Sequence, residues 1–139
     1  MKEILLRSAE KMPEENYSSK PTEAVPQLRA DLGRVADAQY IFVLSRSARR
    51  IRHRGSRRRK PRRPTSIAAL KDAFAYCDKA YDGLTDASAA QMVKLSGRDA
   101  PKLGVLTVNT AHSSEHYSNL VTYMRLKNII LRPASRDSR

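Results

Sequence analysis

Apolar positions recur at steps of three and four in four separate stretches of the chain. In the first, Ile4, Leu5, Ser8 and Met12 share a helical face that Leu6 and Ala9 widen, and Pro13 ends the pattern. The run PEENYSSKPTEAVPQ, rich in Pro, Ser and Glu, reads as a long turn. A second helix is expected from near Pro26, because proline fits a first helical turn. Its buried side would carry Leu28, Leu32, Val35, Ala38 or Gln39, and Phe42. The third helix takes Ser66 as its cap, lays Ile67, Leu70, Phe74, Cys77 and Tyr81 along one face, and stops at Gly83. Between Leu84 and Leu103 the pattern is mixed: DASAAQMVKL suits a short helix or an extended pass, and SGRDAP a turn. A fourth long helix is expected from about Leu103 to Lys127, with Leu103, Leu106, Thr110, Ser113, Tyr117, Leu120 or Val121, and Met124 in a row. Three long amphipathic helices and a shorter first one make an all-α four-helix bundle the simplest architecture.

Charge changes this picture in one place. The 139 residues suit a single domain, 1–139, and carry 27 Lys and Arg against 14 Asp and Glu, a net +13. Eleven of the cations lie between Arg46 and Arg63, where there is no acid, so the rest of the chain holds 16 cations against 14 acids. A near-neutral globular chain therefore carries one basic block. Its mutual repulsion and near lack of apolar residues predict a long disordered loop over 46–63, between helices two and three. The end of the chain, 131–139, reads as a flexible tail. The lone Cys77 excludes an internal disulfide framework and a cysteine-based zinc cluster. No apolar run is long enough for a membrane span, and Lys2, Glu3, Arg7, Glu10 and Lys11 interrupt any signal-peptide core. The expectation is a soluble protein of a reducing, cytoplasmic compartment with no membrane partner. With no Trp and two Phe, its core should be mostly aliphatic.

The strongest local chemical signal is His112-Ser-Ser-Glu115-His116 in the fourth helix. Residues four apart lie on one helical face, so both imidazoles can reach one metal ion from the same side. Spacing alone leaves a second reading open, two part-buried histidines hydrogen-bonded to neighbours. A zincin motif is absent, since Ser113 follows the first histidine where a glutamate is required. The third histidine of the chain, His53, lies in the basic block. Glu115 is turned about 100° from His116 and reads as a surface or supporting group.

The segments KEILLRSAEKMPEENYSSKPT, LGRVADAQY, LKDAFAYCDKAYDGLTDASAAQMVKL and PKLGVLTVNTAHSSEHYSNLVTYMRLKNI resemble the DinB family, also called the DinB/YfiT-like metalloenzymes. The likeness covers the chain except about 44–65 and the last eight or nine residues. It implies a four-helix bundle, commonly a homodimer, with a nickel- or zinc-type site of three histidines. Two of these match His112 and His116. The third belongs to a stretch resembling GHVADAQY, where this chain reads GRVADAQY, so Arg34 stands at that position. A guanidinium has no lone pair to donate and brings its own positive charge, so the site implied here is incomplete. Asp37, one turn from Arg34, is a substitute oxygen donor or, as the favoured reading, a partner for Arg34. The activity the resemblance implies is metal-dependent, of hydrolase or thiol-dependent transferase type, on a small-molecule or thiol substrate. A purely structural dimer is the remaining possibility.

The alternative function comes from the basic block. Arg49, Arg50, Arg52, Arg54, Arg57, Arg58, Arg59, Lys60, Arg62 and Arg63 would bind nucleic acid or another polyanion through its phosphates, without sequence preference. No aromatic residue interleaves with them, which speaks against a single-strand stacking surface. A change of reading frame would also explain the block. The resemblance fades near Leu44 and resumes near Ser66, and LRPASRDSR at the end has a similar composition. Cys77 is expected to behave as a small buried apolar residue, and Tyr117 and Tyr123 as core or dimer surface.

Overall fold

The computed structural model describes residues 1–43 and 63–131. Helix α1 spans Lys2–Lys11 and buries Leu5, Ser8 and Ala9. Its last turn leaves carbonyls without partners inside the helix, and three groups satisfy them. The Met12 amide donates to the Ser8 carbonyl at 3.1 Å, the Tyr17 hydroxyl to the Ala9 carbonyl at 2.7 Å, and the Arg63 guanidinium to the Glu10 carbonyl. The segment expected as an open turn therefore contains structure. Glu14–Ser18 forms a 3-10 turn that carries Tyr17 into the core, where burial pushes its phenol up to about 12, with Arg63 opposing part of that rise.

Helix α2 is Leu28–Val43, beginning two residues after Pro26. Leu28, Leu32, Val35, Ala38 and Gln39 are buried as the spacing predicts, and so is Asp31. Helix α3 runs from Arg63 to Asp82, three residues ahead of the expected cap. Pro64 is what makes the earlier start cheap, because its missing N–H lies in the first turn. Ser66 consequently lies inside the helix, buried, with no partner for its hydroxyl among the described residues. Arg63 belongs to this helix and not to the loop. The rest of the basic block and residues 132–139 lie outside the described residues, and Leu131 packs against the core instead of joining a tail.

The expectation of an all-α chain needs a correction. After a four-residue helix α4, Asp86–Ala89, capped reciprocally by Thr85 and Ser88, Met92–Leu95 (β1) and Arg98–Pro101 (β2) pair as an antiparallel hairpin. Ser96 (φ 49) and Gly97 (φ 84) make its two-residue turn. Both take positive φ, the condition for a turn whose twist matches the strands. Only Ser96 and Gly97 of SGRDAP form the turn; the next four residues are the returning strand. Helix α5 then spans Lys102–Leu126.

Helix α2 packs on α3 and α5, while α1 lies against α3 and α5. The core gathers Leu5 and Ala9 of α1, Met12 just beyond it, Tyr17 of the 3-10 turn, Leu28, Leu32, Val35 and Ala36 of α2, Leu70, Ala73 and Phe74 of α3, and Leu120, Tyr123 and Met124 of α5. It is aliphatic apart from two tyrosines and one phenylalanine. None of the helices among the described residues is long and apolar enough to cross a membrane.

Candidate functional site

Helices α2 and α5 run antiparallel. The Tyr123 hydroxyl donates to the Pro26 carbonyl at one end of the contact, and Gln39 meets Asn109 toward the other. Between these points the buried face of α5 turns polar. Its inward row is Val105, Leu106, Asn109, Ser113, His116, Leu120, Tyr123 and Met124. The row read from apolar spacing is turned slightly from this one: Thr110 and Leu103 are exposed and Tyr117 is half-buried. A count of apolar residues gives no weight to Asn109 and His116, so the stripe it finds is displaced.

His112 and His116 do come together. Their Nε2 atoms face each other at 3.2 Å, and the rings meet edge to face with centroids 4.4 Å apart. His116 is 7 % exposed, and its other nitrogen, Nδ1, lies 2.7 Å from a carboxylate oxygen of Asp31, itself 4 % exposed. His112 is half-buried, packs its ring edge to face with Phe42 at 5.7 Å, and has a buried Nδ1 with no partner among the described residues. Burial first, and then the neighbouring His116, hold the His112 imidazole below its ordinary pKa.

Asp31 was not among the candidates from sequence. It sits in the first turn of α2, where the helix dipole favours a negative charge, and its partner is 85 residues away. Only the packing of α2 on α5 reveals the pair. The i, i+1 and i, i+4 patterns that flag local motifs carry no trace of it.

Arg34 is exposed on α2, one turn beyond Asp31, and among the described ion pairs none joins it to Asp37. Asp37 is half-buried and makes no described hydrogen bond to either histidine. Glu115 is exposed, as its angular offset implies. His53 and nine of the ten candidate polyanion-binding cations lie outside the described residues; the tenth, Arg63, is occupied with the end of α1.

Beside the histidines lies a second polar group. The Asn109 amide donates to Gln39 Oε1 at 2.9 Å and to Cys77 Sγ at 3.3 Å, and the Gln39 amide donates to Ser113 Oγ at 3.0 Å. Asn109 Oδ1 has no partner among the described residues. Cys77 is 2 % exposed, and burial pushes its thiol up to about 11, with the Asn109 contact opposing. At that burial Cys77 packs as a small apolar residue of the core, as expected from its place on the apolar face.

The donor set bears on the metal that the sequence resemblance implies. Two imidazole nitrogens 3.2 Å apart can be bridged by one ion bound about 2.0–2.1 Å from each. A carboxylate on the outer nitrogen of a metal-binding histidine is the usual supporting partner. Both features fit. The third position, which the sequence resemblance assigns to the exposed Arg34, does not, because a guanidinium offers no lone pair. Among the described residues no group of three or more His, Cys, Asp and Glu side chains is arranged to hold an ion.

No protein-family profile and no curated protein matches the sequence. Solved structures do match the fold. A DinB-like protein from Bacillus subtilis superposes with a TM-score of 0.75 at 16 % identity, over 96 % of this chain and 90 % of that one. A DinB-like protein from Bacillus cereus superposes with a TM-score of 0.69 at 15 % identity, over 96 % and 89 %. Superposition at these TM-scores and this coverage identifies the architecture: the chain has the DinB-like fold.

Proposed function

We propose that this chain is a DinB-family protein, a homodimeric four-helix bundle whose metal centre is reduced to a two-histidine site made by His112 and His116. The observation that carries the reading is the pair of Nε2 atoms facing each other at 3.2 Å, with His116 backed by Asp31. A bound nickel or zinc ion would supply Lewis-acid chemistry of the hydrolase or thiol-dependent transferase kind. The residues of the chain hold and orient. Asp31 fixes the His116 ring, Phe42 packs against His112, and the exposed Arg34 adds positive charge on the same side of α2 as Asp31. Such a centre retains two protein ligands where a catalytic zinc site normally has three, so binding should be weak and activity low or lost.

The test is calorimetric titration of the purified chain with zinc and with nickel, beside Arg34→His and a His112→Ala/His116→Ala variant, with light scattering for the dimer. The expected result is weak one-to-one binding that disappears in the double alanine variant and tightens in Arg34→His. Tight one-to-one binding by the unmodified chain would mean that another donor replaces the missing histidine, Asp37 being the first to test. Failure of both the parent and Arg34→His to take up either metal would overturn the metal reading.

A further inference from the structure

We infer that Asp31 is a positioning residue of this site: its carboxylate accepts the Nδ1–H of His116, and so leaves the His116 Nε2 lone pair aimed at the point it shares with His112. The inference deepens the two-histidine reading and rests on it for its purpose. The tautomer itself, however, is a property of the metal-free chain.

A neutral imidazole has one nitrogen that donates and one that accepts. A carboxylate only accepts. At 2.7 Å from Asp31, Nδ1 of His116 must therefore carry the proton. Nε2 is then left as the acceptor, facing His112 Nε2 at 3.2 Å. His112 has two ways to answer. It donates from its own Nε2, which leaves its buried and unpartnered Nδ1 as a bare acceptor. Alternatively it keeps its proton on Nδ1, and two lone pairs then point at each other across 3.2 Å, an arrangement that only a cation relieves. In both neutral arrangements His116 presents a lone pair to the shared point, and it does so because of Asp31.

Burial makes Asp31 effective. A carboxylate 4 % exposed must be paired or it raises a large desolvation cost. The described hydrogen bond of its side chain is the one to His116. The amide of Asp31 itself is committed to Gln27 in the first turn of α2, which anchors the backbone that carries the carboxylate.

The decisive experiment uses the full-length chain labelled with ¹⁵N in its histidines. Two-bond ¹H–¹⁵N correlations on the metal-free protein report the protonation of each ring, and zinc titration on the same samples reports affinity. The parent should show His116 neutral with its proton on Nδ1. The near-isosteric Asp31→Asn, which can turn its amide to donate to Nδ1, should move that proton to Nε2. Zinc affinity should fall about ten- to a hundredfold, the loss typical of removing such a supporting partner. Asp31→Ala, with its fold checked by circular dichroism, should lose the preference for either nitrogen and lose affinity likewise. A parent whose His116 is an imidazolium or carries its proton on Nε2 overturns the inference. So does an Asp31→Asn chain that binds zinc as tightly as the parent with its tautomer unchanged. If the parent takes up no zinc while His116 still carries its proton on Nδ1 and loses it in Asp31→Asn, the metal reading fails alone and the role of Asp31 stands.

Discussion

His112 is the residue through which pH should act on this fold. Its ring is half-buried beside Phe42 and a second imidazole, and burial and that neighbour both disfavour its charged form. In the unfolded chain the same side chain titrates near 6.5. Between that value and the lower one in the folded state, the unfolded chain binds more protons, so stability rises with pH across this interval. The contribution is present above about pH 6.5 and is lost as the pH falls toward the folded value of His112. Urea denaturation at stepped pH from about 7.5 to 5 should show the midpoint falling on acidification. His112→Gln keeps a polar side chain but does not titrate, and it should flatten that part of the slope. An unchanged slope in His112→Gln would assign the effect to other groups. His116 differs from His112 in having Asp31 at hydrogen-bond distance, so the two histidines, identical in type and one turn apart, have unlike surroundings. Spacing in the sequence treats them as equivalent, and only the residue across the interface separates them.

At the scale of elements, the helices are packed around two unlike regions. One is the apolar cluster centred on Leu5, Leu28, Leu70 and Leu120. The other is a polar layer in which Gln39 of α2, Cys77 of α3, and Asn109 and Ser113 of α5 bond to one another. Buried amides are tolerable when satisfied and costly when a partner is removed alone. Gln39→Leu and Asn109→Leu should each destabilise by about 1–3 kcal/mol, because each strands polar atoms of the other. The double variant should cost less than the two together, with a coupling of about 0.5–3 kcal/mol. Strict additivity in urea denaturation would mean that the layer does not act as a unit. The same contrast explains what could be read in the sequence. The long helices were legible from apolar spacing because Leu28, Leu32, Val35, Leu70 and Phe74 point inward together. The hairpin was not, because four residues per strand give one buried position, Val93, and no alternation to detect. The histidine pair was legible because it is local to α5. Asp31 was not, because its burial and its partner both come from α2 packing antiparallel to α5.

At the scale of the whole molecule, the uneven distribution of charge sorts the cations into two kinds. Arg63 is structural. It opens α3, donates to the Glu10 carbonyl at the C-terminus of α1, and places a positive charge where the helix dipole favours one. Lys71 of the same helix pairs with Glu10 at 2.7 Å, so this corner joins α1 to α3 by charge as well as by packing. The ten cations from Arg46 to Arg62 have no acid among them in the sequence. Such a density of like charge would attract a phosphate backbone by releasing its counterions, and that attraction would weaken steeply as salt rises. The two kinds should part under mutation. Replacing the cations of 46–62 by Ser and Gln should abolish binding to heparin or duplex DNA and leave the thermal midpoint unchanged. Arg63→Ala should lower the midpoint modestly, by less than the roughly 1–3 kcal/mol of stranding a buried acceptor, because this contact is exposed and water can take the carbonyl, and it should leave polyanion binding almost intact. Binding should collapse between about 50 and 200 mM salt, whereas zinc uptake by His112 and His116 should follow pH, since the metal competes with protons for the imidazoles. Polyanion binding that persists at high salt, or that Arg63→Ala alone removes, would contradict this division. The metal uptake proposed for His112 and His116 and the polyanion binding expected of the basic block would therefore draw on different residues, answer to different solution variables, and be removable one at a time.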